Sequence, residues 1–239
     1  MNRVFVTGDT HGQFCRIAEF CHSMDTSPDD IMIVLGDAGI NYYADSRDQY
    51  LKESISNIPI TLFCVHGNHE MRPERIESYA VRDIDRPSFK GRVYMEPDWP
   101  NIMFGIDGDI YEICERQCIV IGGAYSVDKH YRIAHGMRWF RDEQPSEEIK
   151  AKVESALLER NNQIDIVLSH TCPFKYIPTE TFLPMIDQST VDNSTELWMD
   201  EVENRLKYGK WLCGHYHTDK SIDWLRFMFR DIVCLNELM

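Results

Sequence analysis

Five short polar clusters carry residue types that hold metal ions: Gly8-Asp9-Thr10-His11-Gly12, Gly36-Asp37, Gly67-Asn68-His69-Glu70, Ser169-His170 and Gly214-His215-Tyr216-His217. Carboxylate and amide oxygens combined with imidazole nitrogens, and no thiolate, suit borderline divalent ions such as manganese, iron, cobalt, nickel or zinc. Asp9 and His11 stand one residue apart on a turn, and His215 and His217 repeat that spacing near the other end of the chain. Asp37, just past an apolar run, is free to bridge two ions, while Asn68 and His170 complete a second coordination sphere. Taken alone, Asp-x-His reads equally well as a tight turn with Asp9 capping a helix near Gln13. A lone histidine among nine is more often a core or surface residue. Seven such residues at the ends of five runs instead describe a pocket.

The elements that must position them are visible in the hydrophobic pattern. Val4–Val6, Ile31–Leu35, Ile60–Val65, Ile166–Leu168 and Trp211–Cys213 are short β-rich runs, each ending at one of the polar clusters. Strands buried on both faces read as continuous apolar runs, and in open α/β sheets the ligand crevice lies beyond their carboxyl ends. Between them the period turns helical: Phe14, Ile17, Ala18 and Cys21 share one face, as do Leu51, Ile55 and Ile58. Glu147–Arg160 predicts a helix with Ser146 as N-cap and acids in its first turn, and Trp198, Val202, Arg205 and Leu206 suggest another. In the middle, Ile102–Phe104, the Gly105–Gly108 turn and Asp109–Ile113 predict a strand, a turn and a returning strand, with Cys118–Ile121 pairing beside it. A second, more antiparallel sheet packed on the first is expected. Pro173–Ser194, with three prolines and no sustained period, is expected to be a long loop that either borders the site or is a surface excursion.

Composition sets the outer limits. With 239 residues, 43% of them hydrophobic, residues 1–239 are expected to form a single domain around one sizeable core. Eight scattered cysteines without a C-x-x-C pair, and an N-terminal apolar stretch too short for a secretory leader, point to reduced thiols and a cytoplasmic protein. No window approaches the roughly 18 apolar residues of a membrane span. A formal charge of −14 disfavours an extended grip on long nucleic acid. Bound dications would reverse that sign locally and still attract a small or exposed phosphate ester.

The ordered clusters from residue 8 to residue 217, with Asp37 following Asp9 by 28 residues and Asn68 following Asp37 by 31, resemble the five motifs of the calcineurin-like metallophosphoesterases. That resemblance implies an α/β fold of four αββα layers, with two mixed β-sheets and the metal site at strand C-terminal ends. It implies two divalent transition metal ions, manganese first among manganese, iron, zinc, cobalt and nickel. One would be held by Asp9, His11, Asp37 and His217, and the other by Asp37, Asn68, His170 and His215. Two dications roughly 3.5 to 4 Å apart hold a bridging hydroxide at neutral pH and bind the phosphoryl oxygens, so hydrolysis proceeds by in-line attack. His69, beside ligand Asn68, is the family-like leaving-group acid, with a purely hydrogen-bonding role as its alternative.

The chain departs from the phosphoprotein phosphatase branch at Gly36-Asp37-Ala38-Gly39-Ile40. That branch has Asp-Arg-Gly after its second motif, and it has an aspartate orienting its histidine where this chain has Ile40. The partner of His69 is thus open, and Arg72, Arg75 and Arg132 are the candidates for the missing phosphate clamp, Arg72 first because it follows the Asn68-His69 cluster. Gly122–Asp128 is either a turn between layers or part of the substrate side, with Tyr125, Asp128, His130 and Tyr131. Expected substrates are small phosphate esters, nucleotides or phosphopeptides, and monoester and diester chemistry both fit. Two other readings stand beside this one. A catalytically inactive, partner-binding scaffold would show eroded ligands, whereas every position is filled; a metal-dependent nuclease would need a basic channel.

Overall fold

The computed structural model describes residues 2–238. In chain order the elements are β1 (Val4–Thr7), α1 (Cys15–Met24), β2 (Ile31–Val34), α2 (Ser46–Ser56), β3 (Thr61–Cys64), β4 (Ala80–Arg86), β5 (Phe89–Met95), β6 (Ile102–Gly105), β7 (Ile110–Ile113) and β8 (Arg116–Ile121). There follow α3 (Lys129–Ala134), α4 (Glu147–Leu158), β9 (Gln163–Ser169), α5 (Ser194–Glu203), β10 (Lys207–Cys213), β11 (Lys220–Ile222), β12 (Leu225–Phe227) and β13 (Val233–Cys234).

The apolar runs Val4–Thr7, Ile31–Val34 and Thr61–Cys64 have every residue buried, which is the signature of strands covered on both faces. They pair in parallel, Val4 with Ile31 and Ile31 with Thr61. β8, β9 and β10 form a second parallel group through Ile119–Val167 and Val167–Trp211. α4 begins as its sequence requires: Ser146 accepts a hydrogen bond from the Ile149 amide, and Glu147 and Glu148 occupy the first turn.

The strands join in one mixed sheet, ordered β11-β12-β10-β9-β8-β7-β5-β6-β3-β2-β1-β13 with β4 paired to β5, rather than in two separate sheets. The link is β5. Its first residues pair with β7 (Phe89 opposite Ile113), and its last with β6 (Val93 opposite Gly105). Gly91 stands at the switch, with φ +152°, and a Cβ there would lie 2.4 Å from the Tyr111 ring. The hairpin expected between Ile102 and Ile113 therefore does not form: β5 lies between β6 and β7. Only the pairing of β7 with β8 follows the sequence expectation.

The sheet curls so that its two halves share one core. Val6, Ile33 and Phe63 from one half cluster with Val120, Leu168 and Leu212 from the other. Side chains on the opposite strand faces pack under helices: Met32 and Leu62 with Ile17 and Ile55 of α1 and α2, and Val167 and Trp211 with Val153 and Trp198 of α4 and α5. Among the described residues, no helix is long and apolar enough to cross a membrane. All eight cysteines are free thiols.

Candidate metal centre

The turns after β1, β2, β3, β9 and β10 meet at one edge, and backbone hydrogen bonds join them. The Thr10 and His11 amides both donate to the Asp37 carbonyl, and the Gly214 amide donates to the His170 carbonyl. The third turn fits against Asp37 only because residue 67 is glycine, since a Cβ there would sit 2.0 Å from Asp37 Oδ1. His11, Asp37, His215 and His217 have φ of 47°, 47°, 67° and 49°. Left-handed backbone at non-glycine residues is uncommon and costs on the order of 1 kcal/mol or more each, so four such residues at one edge mark a place where side-chain position outranks backbone comfort.

The structure brings the seven sequence-predicted ligands together. His217 Nε2 lies 2.9 Å from His11 Nε2 and 3.2 Å from Asp9 Oδ2. Asp37 Oδ2 is 3.9 Å from His11 Nδ1 and 3.7 Å from His170 Nε2. Ligand atoms of Asp9, His11 and His217, and of Asp9, Asp37 and His170, fall within 4.8 Å of one another in each trio. The His215 ring stacks edge-on against His170, their centroids 5.0 Å apart.

The hydrogen bonding fits these donors to cations. His170 Nδ1 is 2.8 Å from the Leu35 carbonyl, which fixes the proton on that nitrogen and leaves Nε2 with a lone pair. Asn68 Nδ2 donates to Ser126 Oγ, which turns Asn68 Oδ1 toward His170 Nε2 at 2.8 Å. With the imidazole neutral, two acceptors face each other, an arrangement that a shared cation relieves. Likewise Asp9 Oδ1 accepts from the His215 amide and Asp37 Oδ1 from the His69 amide, so each carboxylate is oriented with its second oxygen toward the cluster. Asp9 Oδ2 is buried without a hydrogen bond of its own. The set of three carboxylate and amide oxygen donors and four imidazoles suits two divalent transition ions.

The electrostatics agree. Burial pushes the Asp37 carboxyl up, yet the imidazoles of His69, His170 and His11 and the His69 amide outweigh it and hold the group well below the usual range. Asp9 is likewise held down against burial by His217 and His170. Burial lowers His215 to about 3, which keeps it neutral and able to ligate. Glu70, buried near Asp37, is pushed up to about 8 and accepts from the Gly67 and Gly39 amides, tying the second and third turns together.

His69 lies beside this cluster with Nε2 3.9 Å from Asp37 Oδ2. Ile40 is core, packed with the α1 side chains, and gives His69 no partner. The partner is Arg132 of α3, whose Nη2 is 3.3 Å from His69 Nε2 and whose Nε is held 2.8 Å from the Asp128 carboxylate. Burial lowers the His69 imidazole, with Asp37 opposing and Arg132 adding to the effect.

The expectation for Arg72 needs correction. Its guanidinium is buried, 2.7 Å from Asp107 Oδ2 and 2.8 Å from the Asp142 carbonyl, and it borders a different hollow, with His66 and Tyr94. Nearness in sequence to Asn68 did not carry it to the metal face, because Asp107 and the Asp142 carbonyl hold its guanidinium elsewhere. Arg75 pairs with Asp142 at the surface. Arg132 alone of the three lines the cavity of about 520 Å³ that opens from His11, Asp37, Asn68 and His215. Tyr125 and Asp128 line it too, whereas His130 and Tyr131 do not. The Pro173–Ser194 segment borders the site: Ile177, Phe182, Leu183, Ile186 and Val191 form its apolar wall. Sequence reasoning missed Ser126 and Glu196, whose single signal was their position beside a Gly-Gly turn and at a helix start.

A family model of the calcineurin-like phosphoesterases matches residues 2–219, and the chain belongs to that family. Among solved structures the chain is similar to TT1561 of Thermus thermophilus, at 12% identity and TM-score 0.52 over 98% of each chain. A second crystal structure is similar at 12% identity and TM-score 0.51, covering 99% of this chain and 96% of the other. At this identity the likeness bears on the fold. No curated protein matches. Membership makes the chain a metallophosphoesterase, a metal-binding hydrolase of phosphate esters.

Proposed function

We propose that this chain is a dinuclear metal-dependent phosphoesterase acting on small organic phosphate esters, its first ion held by Asp9, His11, Asp37 and His217 and its second by Asp37, Asn68, His170 and His215. The observation that carries the reading is the convergence of His170 Nε2 and Asn68 Oδ1, 2.8 Å apart, beside Asp37. Manganese is the first choice of metal, with iron, zinc, cobalt and nickel compatible with the same donors. Bound there, the ions supply Lewis acidity at the phosphoryl oxygens and lower the pKa of the attacking water.

The chain's own residues do the rest. Asp9, Asn68 and His170 are each locked by a hydrogen bond to backbone or Ser126, so they enter the reaction already oriented. Once Arg132 no longer donates to its Nε2, His69 can take up on that atom a proton from the attacking water and pass it to the departing alkoxide. Arg132, anchored by Asp128, replaces Arg72 as the phosphate clamp, and on taking substrate it releases His69 Nε2. The packing of helices outside two face-to-face halves supports a four-layer αββα arrangement of a single domain, and eight free thiols suit a reducing, cytoplasmic setting. Metal titration calorimetry tests the reading: two ions per chain are expected, falling to one in His170→Ala, and a wild type that takes up no more than one contradicts it.

A further inference from the structure

The 520 Å³ cavity far exceeds the room one phosphoryl group needs. Away from the metal face the segment between β9 and α5 contributes the apolar side chains Ile177, Phe182, Leu183, Ile186 and Val191, interspersed with Thr181, Gln188 and Asn193. Glu196, in the first turn of α5, also borders the cavity and is 3% exposed. Its Oε1 accepts from Thr171 Oγ1 at 2.7 Å, and Thr171 directly follows His170, so the carboxyl is anchored next to the metal ligands without touching them. Its Oε2 is buried and, among the described residues, has no hydrogen-bond partner. A buried acceptor without a donor is costly, and no Lys or Arg lines the cavity except Arg132, which is engaged with Asp128 and His69. Burial pushes the Glu196 carboxyl up to about 7, in keeping with an acceptor short of donors.

Building on the phosphoesterase reading above, we propose that Glu196 determines specificity: the substrate is a phosphate ester of an alcohol with an aromatic or branched apolar body that carries a hydrogen-bond donor. The body packs on Ile177, Phe182 and Ile186, and the donor, a hydroxyl, amine or amide N–H, pairs with the Glu196 carboxyl as substrate binding turns Oε2 toward the cavity. A site whose buried polar group requires a partner rejects the analogue that lacks it far more strongly than an apolar wall rejects a change of size. Polyol phosphates would leave the wall uncovered, and plain alkyl phosphates would leave Glu196 unpaired.

The test compares kcat/KM of metal-loaded protein, at pH about 8, where Glu196 is ionised, for the phosphate monoesters of para-aminophenethyl and para-methoxyphenethyl alcohol. Their leaving oxygens are aliphatic and chemically matched, so the ratio reads recognition. The amino ester is expected to be preferred by about tenfold or more, since a hydrogen bond to a charged group is at stake. In Glu196→Gln the amide keeps the Thr171 contact and turns an N–H to the cavity, so the preference inverts toward the methoxy ester. Each ratio is independent of the folded fraction. A second variant, Phe182→Ala, is expected to lower the preference for phenethyl over ethyl phosphate by about threefold or more as apolar contact is lost. Turnover of both phenethyl esters with a wild-type ratio near one overturns the role of Glu196 and leaves the phosphoesterase reading standing. If no ester turns over, that reading falls and this inference falls with it.

Discussion

His170 Nε2 lies 2.8 Å from Asn68 Oδ1 while His170 Nδ1 is tied to the Leu35 carbonyl, so Nε2 is the ring nitrogen left to face the amide oxygen. With a cation bound the two atoms become a ligand pair, and without one the contact holds only through a second proton on the imidazole. Metal is therefore expected to stabilise the chain. Manganese at a hundredfold excess over its dissociation constant should add about 2.7 kcal/mol per site, seen as a rise in thermal midpoint that chelator reverses. Asn68→Ala should lose the part of that rise due to the second ion. A midpoint indifferent to metal would contradict the ligand assignment.

His69→Ala should cost about 10² to 10⁴ in kcat on esters of alkyl alcohols, which need a proton on the leaving oxygen. The loss should be much smaller on p-nitrophenyl esters, whose leaving group departs unprotonated. Steady-state kinetics on both substrates separate an acid from a residue that only holds the site together, because the latter would lower both alike.

Arg132 and Arg72 should behave oppositely. Arg132→Ala should lower kcat/KM by about ten- to a hundredfold while leaving the denaturation midpoint nearly unchanged, and lysine should restore little of the loss. Arg72→Ala strands Asp107 in a buried pair and should cost about 3 to 5 kcal/mol in urea denaturation.

Glu196 should leave a signature in stability against pH. Its carboxyl sits at 4.5 when unfolded and is raised to about 7 by burial when folded, so between those values the folded state holds more protons. Stability of the metal-free protein should then fall as pH rises through that window, by about 3 kcal/mol at most from this group. Denaturation midpoints measured across the window should fall more, or rise less, with pH in the wild type than in Glu196→Gln.

The gathering of the candidate site was legible in the sequence because it is local. Each metal-facing turn follows a run such as Val4–Thr7 or Ile31–Val34, whose continuous apolar character announces a doubly covered strand, and ligand types stand at fixed offsets beyond it. What depends on long-range pairing was not. β5 inserts between β6 and β7 because Gly91 lets one strand serve both halves, and nothing between Ile102 and Ile113 records that. α3 has no buried residue of its own, so it lacks the apolar stripe that reveals a helix, and it is the element that brings Arg132 to His69. Arg72 misled for the same reason: contact with Asp107, 35 residues away, decided its direction.

The most direct measurement is hydrolysis of p-nitrophenyl phosphate and bis-p-nitrophenyl phosphate by metal-stripped protein titrated with manganese, iron, cobalt, nickel or zinc, with Asp37→Ala alongside. Turnover that rises with metal, saturates at two ions per chain and is lost in Asp37→Ala is the expected result, and the ratio of the two substrates then assigns monoesterase or diesterase. A wild type that binds two ions and turns over neither compound nor any alkyl phosphate would contradict the account.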